Sequence, residues 1–117
     1  MNQTDIPFLT ATELSRLIKA KEISPVETME AYLDRIDEIN PKLNAYITVC
    51  HDEAIAQAEE SEQALFKDNY LGPLHGVPVA IKDQIWTKGV LTTAGSNILR
   101  DFVPDQDATV VSKLRDA

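Results

Sequence analysis

Apolar positions recur at three- and four-residue spacing through the first forty residues, which predicts two helices. Thr10-Ala11-Thr12-Glu13 has the form of a capping box, in which two side chains satisfy backbone donors left open at a helix start. Leu14, Leu17 and Ile18 then fall on one face. A second start follows at Ser24, with Pro25 suited to the first helical position and Glu27 three residues after the cap. Val26, Met29, Leu33 and Ile36 form its apolar stripe. Asn40-Pro41 is expected to close this helix, because proline disfavours helical geometry in the residue before it.

The pattern then changes period. Leu43–Val49 is rich in β-branched and aromatic residues and reads as a strand. A third helix is expected from about Asp52 to Lys67, with Asp52 and Glu53 favourably placed near the positive end of the helix dipole. Ala54, Ala58, Ser61 and Leu65 give it a narrow face of mostly small residues, and Glu59, Glu60 and Glu62 a solvated one. Residues 72–95 contain all four glycines and two of the six prolines. Val77–Ile81 is a continuous apolar run after turn signals and predicts a strand buried on both faces. A last helix is expected from near Asp107, with Val110, Val111 and Leu114 on its inner side. It reaches Ala117 without a Gly or Asn cap, which reads as an element cut short.

Composition narrows the classes. The chain has 117 residues, 44% of them hydrophobic and 26% charged, so it is too apolar for a disordered chain. No run approaches the roughly 18 apolar residues of a spanning helix, and no secretory signal is readable. A net charge of −8 argues against direct nucleic-acid binding, which draws its affinity from Lys and Arg. Cys50 is alone, so no intrachain disulfide forms, and a reduced cytoplasm is the default location. Cys50 and His51 would point to opposite faces of a strand, which disfavours a nucleophile–base pair. Two His and one Cys at no ligand-like spacing give no metal site.

Lys82 stands out. It directly follows the apolar run, and a lysine at the end of an interior strand is costly unless paired or neutral. Desolvation disfavours the charged form of an amine, and a neutral amine can act as a general base. The simpler reading has Lys82 reaching the rim and pairing with Asp83 or another carboxylate.

The segment Gly72-Pro-Leu-His-Gly-Val-Pro-Val-Ala-Ile-Lys-Asp83 resembles the lysine motif of the amidase signature family. The resemblance continues through Thr87-Lys-Gly-Val-Leu-Thr-Thr-Ala-Gly-Ser96 and Val103–Leu114, and it covers the chain from about Leu9 to Ala117. It implies a mixed central sheet with helices on both faces, an α/β/α layering of which this chain is the first part. Residues 1–70 would then be a helical segment with one strand, and residues 71–117 the start of a catalytic α/β core, together one incomplete domain. The resemblance further implies amide hydrolysis by a Ser–cis-Ser–Lys triad without a cofactor. Lys82 is its lysine, and the loop Thr93, Ala94, Gly95 and Ser96 lies beside the active site.

Both triad serines belong to a Gly/Ser-rich segment downstream of the lysine, and nothing in these 117 residues fits it. The serines present are Ser15, Ser24, Ser61, Ser96 and Ser112. Ser96 has no visible base, so it is a poor nucleophile candidate. The expectation is therefore an N-terminal portion of an amidase, inactive alone, whose full-length parent acts on a small-molecule amide. Two alternatives stand beside it. One is the amidase subunit of a tRNA-dependent amidotransferase, although Thr92–Ser96 and Gln84-Ile85-Trp86 look more like the free-standing enzymes. The other is a non-catalytic remnant or interaction module. Neither a membrane nor a nucleic acid is an expected partner. A homodimer, or partner subunits if the chain belongs to an amidotransferase, stay open.

Overall fold

The structure is a computed structural model that describes residues 2–117. Its backbone forms two compact units. The first runs to Tyr46 and resumes at Cys50–Pro78; the second comprises Ile47–Val49 and Val79–Ala117. The boundary passes between Pro78 and Val79, inside the lysine motif.

The first unit is helical. A 3-10 segment, Gln3–Phe8, leads into α1 (Ala11–Lys19), α2 (Pro25–Leu43) and α3 (His51–Phe66). Both expected capping boxes form: Thr10 accepts from the Glu13 N–H, and Ser24 from the Glu27 N–H. Caps of this kind contribute about 1 kcal/mol each. Leu14, Leu17 and Ile18 are all buried, as their spacing requires. Ile6, Leu14 and Ala31 form a buried cluster, with Leu9, Ile23, Tyr32 and Val77 packed against it. Thr28 is also fully buried, and its hydroxyl donates to the Ser24 carbonyl at 2.8 Å, so its polar atom is paired. On α3, Ala58 and Leu65 are buried, in line with its small-residue face.

Helix α2 runs past the Asn40-Pro41 stop to Leu43. Pro41 lies exposed in the last turn, where few bonds remain to be broken. Asn44, in the left-handed conformation (φ 51°), ends the helix and donates its N–H to the Asn40 carbonyl at 2.7 Å.

The second unit has one α-helix, α4 (Thr109–Asp116), and a 3-10 turn at Asn97–Leu99. The segments around 86–92 and 102–108 run antiparallel. Ala108 N–H donates to Trp86 O, Gly89 N–H to Pro104 O and Thr92 N–H to Phe102 O, at 2.8–3.0 Å. The Trp86 and Phe102 rings pack in a tilted arrangement, with centroids 5.3 Å apart and planes at 59°. Asp107 joins the two ends, accepting from the Lys88 N–H at 2.7 Å and pairing with Arg115 at 3.2 Å. On α4, Val111 is buried, but Val110 faces outward, against expectation.

The expected α/β fold with a mixed central sheet is not present. Among the described residues there is no strand at all. Particular residues explain this. In the proposed strand Leu43–Val49, Leu43 belongs to α2 and Asn44 is left-handed. Tyr46 has its N–H and C=O taken by the Asn40 side chain at 2.8 and 3.0 Å, so neither can join a ladder. In Val77–Ile81, Pro78 removes a donor from the run, and the Val77 N–H turns back to Leu74 O. Val79, expected inside, is 51% exposed.

Candidate active site

The lysine motif has two differently anchored ends. Its first part is fixed within the helical unit by His75, which is 2% exposed. The Leu71 N–H donates to His75 Nδ1 at 3.1 Å, and His75 Nε2 lies 2.8 Å from the Ser61 carbonyl on α3. A nitrogen that accepts carries no proton, so the proton sits on Nε2 and is donated to Ser61. His75 is therefore the neutral Nε2–H tautomer. Gly76, at φ +74°, lies against Pro25 at the start of α2.

The second part lies in the other unit. Lys82 is exposed, and its ammonium makes no hydrogen bond or ion pair among the described residues. The expected burial at the end of an interior strand is absent, and so is the expected pairing with Asp83. The Lys82 backbone is held by a turn in which its carbonyl accepts from the Ile85 N–H at 2.9 Å.

Asp83 faces the downstream loop instead. Its Oδ1 accepts the Thr93 N–H at 2.9 Å, and its Oδ2 accepts the Thr93 hydroxyl. Its backbone carbonyl accepts the Ala94 N–H at 2.8 Å. The Thr93 hydroxyl, then its N–H, and also the Gly95 N–H hold the Asp83 carboxyl below its ordinary pKa of 3.8. Thr93–Ser96 is a tight turn closed by the Ser96 N–H donating to Thr93 O at 2.9 Å, with Ala94 (φ 51°) and Gly95 (φ 67°) both left-handed. The structure thus places the candidate loop Thr93–Ser96 directly on the residue that follows Lys82. The anchoring role of Asp83 is not apparent from the sequence. Its only signal there is an acidic residue beside the candidate lysine with a Thr-Thr pair about ten positions on.

The serines have structural roles that are easy to state. Ser24 caps α2, Ser61 donates its hydroxyl to Gln57 O within α3, and Ser112 lies exposed on α4. Ser96 caps the 3-10 turn, its Oγ accepting from the Ile98 N–H at 3.2 Å. Cys50 stands at the N-cap position of α3, and His51 Nε2 lies 3.2 Å from the Asp37 carboxylate. No cluster of potential metal ligands occurs among the described residues, nor is any helix among them long and apolar enough to cross a membrane.

Residues 27–117, which include Lys82, Asp83 and Thr93–Ser96, match the family described as Amidase. The A subunit of the glutamyl-tRNA(Gln) amidotransferase of Carboxydothermus hydrogenoformans is 45% identical over 113 residues, 97% of this chain and 23% of the relative. The A subunit of the same amidotransferase from Geobacter metallireducens is 48% identical over 109 residues, 93% of this chain and 22% of the relative. That of Dehalococcoides mccartyi (strain 195) is 41% identical over 111 residues, 95% of this chain and 23% of the relative. The chain spans between a fifth and a quarter of the length of these curated relatives.

Proposed function

The chain belongs to the Amidase family, and on that premise we propose that it is the lysine-bearing N-terminal portion of an amidotransferase A subunit that releases ammonia from glutamine. The observation that carries this reading is 41–48% identity to three such subunits over 93–97% of the chain, the lysine segment included. It replaces the preference for a free-standing amidase that the Thr92–Ser96 segment suggested.

In this reading Lys82 supplies the proton acceptor of a Ser–cis-Ser–Lys triad. The nucleophilic serine gives its proton to the bridging serine, which passes its own to the Lys82 amine. The serine oxygen bonds the amide carbon, and backbone donors stabilise the oxyanion. Collapse breaks the C–N bond, the returned proton leaves with ammonia, and water then cleaves the acyl ester. Arginine could not serve here, because it does not give up its proton. Both serines and the oxyanion hole would come from outside residues 1–117, so this segment alone does not turn over. Partner subunits would take the ammonia to a misacylated tRNA, and the acidic segment itself would not contact the nucleic acid.

The experiment is ammonia release by the full-length polypeptide carrying this segment, with and without its partner subunits. Glutamine hydrolysis that rises when the partners are present supports the reading. Hydrolysis of simple amides at the same rate without partners, and none of glutamine, would return the free-standing enzyme.

A further inference from the structure

The turn Thr93–Ser96 and the Lys82-Asp83 peptide are ten residues apart in sequence, yet they are joined by three hydrogen bonds on Asp83. Two of these use the carboxylate and one the backbone carbonyl. On its other side, the same peptide is held through Lys82 O by Ile85. The backbone from which Lys82 projects is thus fixed from both directions. Lysine has a long, flexible stem, so a fixed origin matters to where its amine can be placed.

Asp83 is poorly explained as a surface residue. Its carboxylate makes no ion pair with the adjacent lysine and uses both oxygens on one threonine. The Thr93 hydroxyl in turn accepts the Gly95 N–H at 3.1 Å, so the chain of bonds continues into the left-handed pair Ala94 and Gly95. Left-handed alanine is strained, and it persists only where neighbours hold it. The Asp83 carboxylate thus holds the turn at Thr93, beside the backbone bonds from the Ala94 N–H to Asp83 O and from the Ser96 N–H to Thr93 O.

We propose that Asp83 is a positioning residue of the lysine site, whose carboxylate, through Thr93, locks the Thr93–Ser96 turn and the Lys82 backbone into one frame. The inference rests on the reading of Lys82 as the catalytic lysine. It assigns Asp83 no contact with substrate. Its effect falls on the rate of the bound complex, because a misplaced proton acceptor slows chemistry while leaving ground-state binding intact.

The test uses the full-length polypeptide with its partner subunits, assayed for ammonia release from glutamine. Asp83→Asn and the nearly isosteric Thr93→Val are each expected to lower kcat by about tenfold to a hundredfold. KM should stay within about twofold in both. Combining them should lower kcat little beyond either alone, as for two ends of one interaction. Thr93→Ser, which keeps the hydroxyl, should restore most of the rate. Wild-type kcat in Asp83→Asn and Thr93→Val, even with a lowered melting temperature, would overturn the proposal and leave Asp83 as a stabiliser of the loop. A Lys82→Ala variant run in parallel separates the two ideas. If it is inactive while the other two are unimpaired, only this inference fails; if it is active, the lysine assignment fails first.

Discussion

A methyl group at Gly76 would lie 2.9 Å from Pro25 Cγ, closer than a real Cβ contact allows. Gly76 is where the lysine motif lies against the first turn of α2, and its φ of +74° is itself unfavourable for any other residue. Gly89 has nearly the same φ, +76°, with nothing within 4 Å of its would-be Cβ. The pair separates conformation from crowding. Gly89→Ala should cost about 1 kcal/mol, and Gly76→Ala roughly 2–4 kcal/mol once overpacking is added. Thermal unfolding of the two variants checks the order, and equal losses would remove the close packing of Gly76 on Pro25.

His75 gives a prediction that needs no mutation. Nitrogen-15 NMR should show Nε2 protonated and Nδ1 bare, because Nδ1 accepts from Leu71 while Nε2 donates to Ser61. His75→Phe would remove the part-buried bonds to the Leu71 N–H and the Ser61 carbonyl and should destabilise the helical unit by about 1–3 kcal/mol. The opposite tautomer would contradict this packing.

Ala94 is left-handed without being glycine. Ala94→Gly relieves that strain but adds freedom to the unfolded chain, so the expected net gain is about 0.5–1 kcal/mol. Ala94→Val should lose stability. Denaturant midpoints distinguish these outcomes.

The Asp83 carboxyl titrates below its ordinary pKa of 3.8 because Thr93 donates to its charged form. A lowered carboxyl pKa means that the stabilisation is fully present above about 3.8 and is lost as pH falls through the lower, folded value. The Thr93 and Gly95 amide resonances should report this titration with a midpoint below 3.8, and Asp83→Asn should abolish it. A midpoint at or above the ordinary value would mean the bonds do not form in solution.

The helical half of the molecule is legible because its signals are local. Thr10 with Glu13 and Ser24 with Glu27 carry both ends of a capping box within four residues, and both boxes form as expected. The two expected strands fail for reasons equally specific. The apolar side chains of Val77–Ile81 suggest a strand, but the missing donor of Pro78 counts against one. Residue propensity suggests a strand over Leu43–Val49, whereas Asn40 claims the Tyr46 backbone six residues away. At the candidate site, a motif points to Lys82 and to Thr93–Ser96, each by itself. What joins them, the Asp83 carboxylate, depends on a ten-residue loop closing on itself, and no periodicity encodes that.

Lys82 carries the proposed chemistry of this segment. In the full-length polypeptide with its partner subunits, ammonia release from glutamine should fall by at least about a thousandfold in Lys82→Ala. Lys82→Arg should do no better, because arginine keeps its proton. Wild-type-like release by either variant would contradict the assignment of the lysine and, with it, the proposed mechanism.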